Sequence, residues 1–289
     1  MKILYIKSRT HHKNNHAIMH YKRRFEITII PDESYLAYLD ITSFECVISP
    51  CEPVDVSKYP NTKFIFGPHF SIFPNKNQLE FIYGKKSIYI QPSEWAAEVW
   101  NRCNLKTHVY QLPFGVDTDT FNQINIPEQR NKVFIYHKRR HPNELNALIC
   151  LLNKNKIEYK VFDYVRRYDE SHYLNYLRES KYGIWLDAHE SQGFALQEAL
   201  ACNVPLFVWN VRYMSQEYGA GFDNIPAKTI SYWDERCGEF FHDEIELESK
   251  FNLFLSKLEH YRPREFILEN LSIEKCEDKL LELIKQIDC

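Results

Sequence analysis

The sequence predicts an α/β protein built on parallel sheets, and three observations lead there. Short apolar runs alternate with helix-period segments along almost the whole chain, as in strands joined by helical crossovers. Several of these runs, 182–186 among them, are continuously apolar, which suits parallel strands covered on both faces. A chain of 289 residues fills one large domain or two of ordinary size. The polar stretch 122–131, with Pro127 and few apolar side chains, is the best linker, so the chain divides into 1–122 and 123–289.

Strands are predicted over 2–6 and 25–30, the second stopped by Pro31. Runs 46–49, 63–66, 87–90 and 108–112 complete the first sheet. Helices are predicted over 74–81 and 93–103. Ser93 opens the second, because its hydroxyl suits a helix start. In the second domain the strands are 133–136, 159–164, 182–186, 206–209 and 229–232. Pro142 suits the first position of a helix, and Leu145, Leu148, Ile149 and Leu152 follow at helical spacing. A further helix spans 169–181, with Tyr173, Leu174 and Leu177 on its apolar side. Long helices over 244–261 and 263–287 close the chain.

Composition narrows the function classes. The net charge of -3 gives no bulk attraction to nucleic acid or an anionic membrane. No Gly-x-Gly-x-x-Gly and no Walker loop is present, which weakens dinucleotide and P-loop readings. The eight cysteines are scattered without a Cys-x-x-Cys pair, as in a reduced cytoplasmic protein rather than a disulfide scaffold or zinc site. No run approaches the length of a membrane span. His11, His12 and His16 cluster, but no carboxylate or cysteine joins them as a metal ligand.

The chemistry gathers in 187–209. A polar loop, His189-Glu190-Ser191-Gln192, leads to Gly193, where the backbone can bend and approach a ligand. Phe194, Leu196, Ala199 and Leu200 recur at helical spacing, and Asn203 suits the left-handed position beyond a helix end. The first-turn amides around Phe194 and Ala195 form a ready phosphate site. Glu198, one turn in, lies on the face of Phe194, where a carboxylate can accept both hydroxyls of a ribose. A sugar nucleotide fits: diphosphate at the amides, ribose at Glu198, sugar near Glu190. The bland alternative is a strand-to-helix unit whose glutamates face water. Upstream, His137-Lys138-Arg139-Arg140-His141 follows a strand end beside a helix start, where cations stabilise a leaving diphosphate. Lys138 and Arg139 are the chosen pair.

The stretch from Glu190 to Pro205 resembles the signature of GT-B glycosyltransferases of the retaining, family 4 type: Glu, seven residues, Glu, with Gly-Phe inside and Glu-Ala-Leu-Ala-Cys-x-Val-Pro after. Asn203 stands where that family usually has Gly. Ser93-Glu94-Trp95 and Pro113-Phe114-Gly115-Val116-Asp117 resemble two further family motifs, and the closing helices resemble the family's own. The resemblance implies two Rossmann-like domains facing across a cleft, the first of them shortened here, with a last helix that often packs back onto the first domain. It implies transfer of a sugar from a nucleoside-diphosphate sugar to an acceptor hydroxyl, with retention and without bound metal or other cofactor. Glu190 would orient the sugar, and His69, in the loop after a strand of the first domain, would contact sugar or acceptor. His69 as a backbone-capping turn residue stays open. Asp117-Thr118-Asp119 matches a metal motif of another glycosyltransferase architecture, but a turn with Asx bonding explains it as well. Two other functions stay open: a non-catalytic nucleotide-sugar-binding subunit, and another GT-B reaction such as epimerisation or phosphorolysis.

Overall fold

The computed structural model describes residues 1–70, 72–74, 79–125 and 129–287. The chain forms two compact units, Met1–Gly115 with Ile273–Cys289, and Val116–Ser272. The boundary expected at 122/123 therefore falls within the second unit, and the last helix belongs to the first.

The first unit contains β1 (Lys2–Ile6), α1 (His12–His20), β2 (Glu26–Ile30), β3 (Cys46–Ser49), β4 (Lys63–Phe66), β5 (Ser87–Gln91), α2 (Glu94–Asn101) and β6 (Val109–Gln111). The strands form one parallel sheet in the order β2-β1-β3-β4-β5-β6. Inner strands such as β3 and β5 are buried at every position, which is why they read as unbroken apolar runs. Leu4, Val47, Phe64, Phe66 and Tyr89 join Trp100 of α2 in one core, and the Tyr89 and Trp100 rings stack at 4.2 Å. Of the helix expected over 74–81, residues 75–78 lie outside the described residues, as does Pro127 of the expected linker, and the described end is a single tight turn, Glu80–Ile82. Helix α1 occupies a stretch left unassigned by the sequence pattern. Its histidines and asparagines carry no apolar stripe, and only Asn14, Ala17 and Ile18 are buried.

The second unit contains β7 (Lys132–Lys138), α3 (Pro142–Lys154), β8 (Lys160–Asp163), α4 (Glu170–Glu179), β9 (Ser180–Asp187), α5 (Phe194–Ala201), β10 (Leu206–Trp209), β11 (Gly238–Phe241), α6 (Leu247–Ser256) and α7 (Pro263–Asn270). Its sheet is parallel, in the order β11-β10-β9-β7-β8. The chain adds β8 on one side of β7, then returns to place β9 on the other. In open parallel sheets ligands bind beyond the strand ends at such a reversal. Pro142 opens α3, where His141 and Glu144 complete a reciprocal cap. Asn203 has the left-handed φ of +58 expected beyond a helix end.

Three predicted elements differ. The helix expected over 244–261 is α6 alone, flanked by single tight turns at Glu244–Glu246 and Leu258–His260. Residues 229–232 are not a strand; the outer strand is β11, further on. Thr229 explains the difference. Its N–H donates to Asn210 Oδ1 at 2.9 Å and its hydroxyl to Ala188 O at 2.8 Å. Side chains thus satisfy a segment whose apolar residues imitate a strand. The helix expected over 263–287 is two helices, α7 and α8 (Ile273–Gln286). Between them Ser272 bridges to Val116 in a parallel pairing, which interrupts the helical bonds. Helix α8 belongs to the first unit, where Gly115 admits it. A Cβ built on Gly115 would stand 2.3 Å from Ile273 Cα, so a side chain there would push the helix away.

Candidate functional site

The C-terminal ends of β7 and β9 meet at the reversal, with Lys138 and Asp187 paired in register. The three consecutive cations after β7 separate into three environments. Lys138 forms an ion pair with Glu190, and its ammonium lies 4.6 Å from the centre of the Tyr164 ring. Arg139, with φ +51, turns its side chain outward and donates from Nη1 to Glu217 Oε1 at 2.8 Å. Arg140 is buried. It donates from Nη1 to Asp187 O at 3.0 Å and to Trp209 O at 2.9 Å, and from Nε to Glu144 Oε2 at 2.9 Å. Arg140 thus ties three strand ends together, while Lys138 and Arg139 keep solvent access.

The loop after β9 brings Glu190 to Lys138. It is held from behind: Glu190 N–H donates to Lys228 O at 3.0 Å, and the Ser231 hydroxyl donates to Glu190 O. The residues misread as a strand are therefore the support of this loop. Gly193, at φ +73, makes the left-handed step into α5, a conformation costly for any residue with a Cβ. Gln192 Nε2 donates to Gln197 Oε1 at 2.9 Å, both side chains buried, which fixes the loop on the helix. Phe194 and Ala195 remain partly exposed at the first turn, where backbone N–H groups lie beyond the reach of helical acceptors. Glu198 is buried, with 4 % of its surface exposed. Its charge adds to the rise of the Tyr168 pKa to about 12, for which burial is the larger cause.

Burial also governs the acids and bases here. Loss of hydration raises the Asp187 pKa to about 6, against the pull of Lys138, the Ala188 amide and Arg140. The same loss lowers the pKa of His189, opposed by Glu217 and reinforced by Lys138 and Arg139. His189 Nδ1 lies 3.4 Å from Glu217 Oε2, so Glu217 faces both His189 and Arg139. No sequence pattern marks Glu217: it sits in an irregular loop without period or motif. Asp187 is the last residue of β9, one beyond the strand expected over 182–186.

Of the predicted residues, Lys138 and Glu190 are in direct contact, Arg139 stands beside them, and Gly193, Phe194, Ala195 and Glu198 form the adjoining helix start. His69 belongs to the first unit, in the loop after β4. The amide nitrogen of buried Asn14 donates to His69 Nε2 at 2.7 Å, and His69 N–H donates to Pro50 O at 2.8 Å. Loss of hydration, with neighbouring His11 adding, lowers the His69 pKa to about 4, although the residue as a whole is exposed to solvent, which screens the shift. Asp117 forms an Asx turn: Oδ1 accepts from Asp119 N–H at 3.1 Å and Thr120 N–H at 2.9 Å. Among the described residues no group of three or more His, Cys, Asp or Glu could hold a metal ion. Among them too, no helix is long and apolar enough to cross a membrane.

No protein-family model matches the sequence, and no curated protein matches it. Solved structures do. The chain is similar to AviGT4, a glycosyltransferase involved in avilamycin A biosynthesis, with a TM-score of 0.62 and 10 % identity over 99 % of this chain and 98 % of that one. It is similar to a sucrose-phosphate synthase from Thermosynechococcus elongatus, with a TM-score of 0.59 and 10 % identity over 99 % of both chains. A third structure is a point mutant of S. aureus TarM in complex with fondaparinux, α-GlcNAc-glycerol and UDP. It matches with a TM-score of 0.52 and 15 % identity over 78 % of this chain and 51 % of that one. The two parallel α/β units have the GT-B glycosyltransferase fold.

Proposed function

We propose that the chain is a glycosyltransferase that moves a sugar from a nucleoside-diphosphate sugar to an acceptor hydroxyl, with retention and without a bound metal or other cofactor. One observation carries the reading: Lys138 pairs with Glu190 beside the Gly193–Phe194 helix start, at the reversal of the second sheet, with Arg139 next to Lys138 in the chain. That constellation suits an anion with a sugar attached. The first-turn amides of α5 and the two cations would hold the diphosphate. Glu198 would take the ribose and Glu190 the sugar.

In the reaction the acceptor oxygen bonds to the anomeric carbon while the carbon–oxygen bond to the diphosphate breaks. The acceptor proton passes to the leaving phosphate oxygen on the same face of the sugar. Lys138 and Arg139 stabilise the charge that grows on that phosphate, as fixed donors at a developing anion do. Lys138 then has two partners of opposite use. Glu190 orients the ammonium, and the phosphate shares it. His69 would contact sugar or acceptor as a neutral imidazole, which its lowered pKa favours. The UDP in the TarM structure supports a nucleotide donor without naming the base here. The described cysteines are all free thiols, which supports a cytoplasmic location.

The test is product analysis. The protein, with and without EDTA, is incubated with a panel of nucleoside-diphosphate sugars and candidate hydroxyl acceptors. Retained anomeric configuration, unaffected by EDTA, is the expected result. An inverted product, or transfer abolished by EDTA, would overturn the retaining or the metal-free part separately.

A further inference from the structure

We propose that Glu217 is a positioning residue of the anion site, holding Arg139 in the geometry in which its guanidinium meets a phosphate. The proposal rests on the assignment of Arg139 to the diphosphate. Arg139 stands on a loop with a left-handed φ of +51 and exposes 53 % of its side chain. A side chain so placed samples many rotamers, and a ligand that uses it must first order it.

Two consecutive residues of the segment after β10 grip Arg139 at both ends. Glu217 Oε1 accepts from its Nη1, and Tyr218 N–H donates to its carbonyl oxygen, each at 2.8 Å. The Tyr218 ring also meets the His141 ring edge-on at 5.0 Å. The gripping segment is itself braced. Gln216 Oε1 accepts from Arg212 N–H at 2.7 Å and Tyr213 N–H at 3.1 Å, and Tyr213 bridges to Pro226.

Burial decides which partner holds which. The Glu217 side chain exposes only 8 % of its surface, against 53 % for Arg139. Were Arg139 to leave, a buried carboxylate would lose its close donor, and stranding a buried charge is costly. Arg139 has no need to leave. A guanidinium carries five N–H donors in a planar fork, so Nη1 stays on Glu217 while the others turn to phosphate. Glu217 is therefore an anchor, not a competitor for Arg139. Simple charge counting predicts the opposite sign, since removing a carboxylate would make the site more positive and tighten anion binding.

Calorimetric titration separates the two. UDP, GDP, ADP and the matching nucleosides are titrated into wild type, Glu217→Gln, Glu217→Asp, Arg139→Gln and the double variant Arg139→Gln/Glu217→Gln, each shown to be folded by thermal unfolding. Glu217→Gln is expected to weaken the diphosphate that wild type binds roughly five- to tenfold and to leave the nucleoside unchanged. Glu217→Asp, which keeps the charge, falls between. The double variant loses no more than Arg139→Gln alone, because an anchor has no effect without the group it holds. Equal or tighter diphosphate binding by Glu217→Gln, or additive losses, would overturn the proposal. Should Glu217→Gln not fold, Glu217→Asp is read in its place, and wild-type affinity there overturns it equally. Wild type that binds no diphosphate would instead sink the donor-site reading itself, a failure visible before any variant is measured.

Discussion

At the C-terminal edge of the first sheet, His69 is a neutral imidazole that accepts a hydrogen bond from a buried amide. At the same edge of the second sheet, Lys138, Arg139, Glu190 and Glu217 stand as paired ions. Both edges lie where parallel sheets place ligands, yet their chemistry differs. A neutral donor–acceptor ring suits an uncharged hydroxyl; paired cations with spare N–H groups suit a phosphate. The architecture sets where a ligand sits, and the charge pattern sets which one.

The largest effect expected within the second edge is structural. Arg140→Met removes the guanidinium that joins Asp187, Trp209 and Glu144. A loss of about 3–5 kcal/mol in unfolding free energy is expected by denaturant titration, far above the loss for the exposed Arg139→Met. Equal losses would erase the distinction between the three cations. Next comes Lys138→Gln, expected to weaken nucleoside diphosphate binding by about 2 kcal/mol, roughly thirtyfold, by calorimetry. His69→Asn is expected to leave that affinity within twofold while lowering transfer. A change in nucleotide affinity at His69 would break the contrast between the edges.

The two edges also predict opposite pH signs. The Asp187 pKa is raised to about 6 in the folded chain, so its contribution to stability is present below pH 4 and is lost as pH rises through about 6. Asp187→Asn should therefore gain stability over wild type across that window, by up to about 3 kcal/mol. The His69 pKa is lowered to about 4, so its contribution is present above pH 6.5 and lost as pH falls toward 4. The His69→Asn variant should lose less stability on acidification than wild type does. Thermal unfolding from pH 4 to 8 reads both, and a parallel trend in the two variants would contradict the assignment.

Much of this was legible in the sequence because burial on both faces leaves a plain mark. Strands β1 and β3 to β5 read as apolar runs, and Gly193 and Asn203 announce the two ends of α5 through the conformations they tolerate. What the sequence hid has physical reasons too. Residues 229–232 look like a strand because buried Ile230 and half-buried Tyr232 alternate with polar residues, while Thr229 satisfies the backbone locally. The break between α7 and α8 depends on the pairing of Ser272 with Val116, a contact between residues far apart in the chain. Lys138, Arg139 and Arg140 form one run in sequence, but only the packing of strand ends assigns Arg140 to the scaffold and leaves the other two with solvent access. Glu217 lies in a loop that no periodicity describes, and only its partners reveal it.

The central claim is that the second edge binds a nucleoside diphosphate, and a thermal-shift panel tests it most directly. Nucleoside diphosphates and their sugars are added to wild type and to Glu198→Ala, with and without EDTA. At a hundredfold excess over the dissociation constant a ligand adds about 2.7 kcal/mol, enough to raise the midpoint by a few degrees. A rise with one nucleotide, insensitive to EDTA and lost in Glu198→Ala, is the predicted result. No rise with any of them, in protein shown to be folded, would contradict the claim.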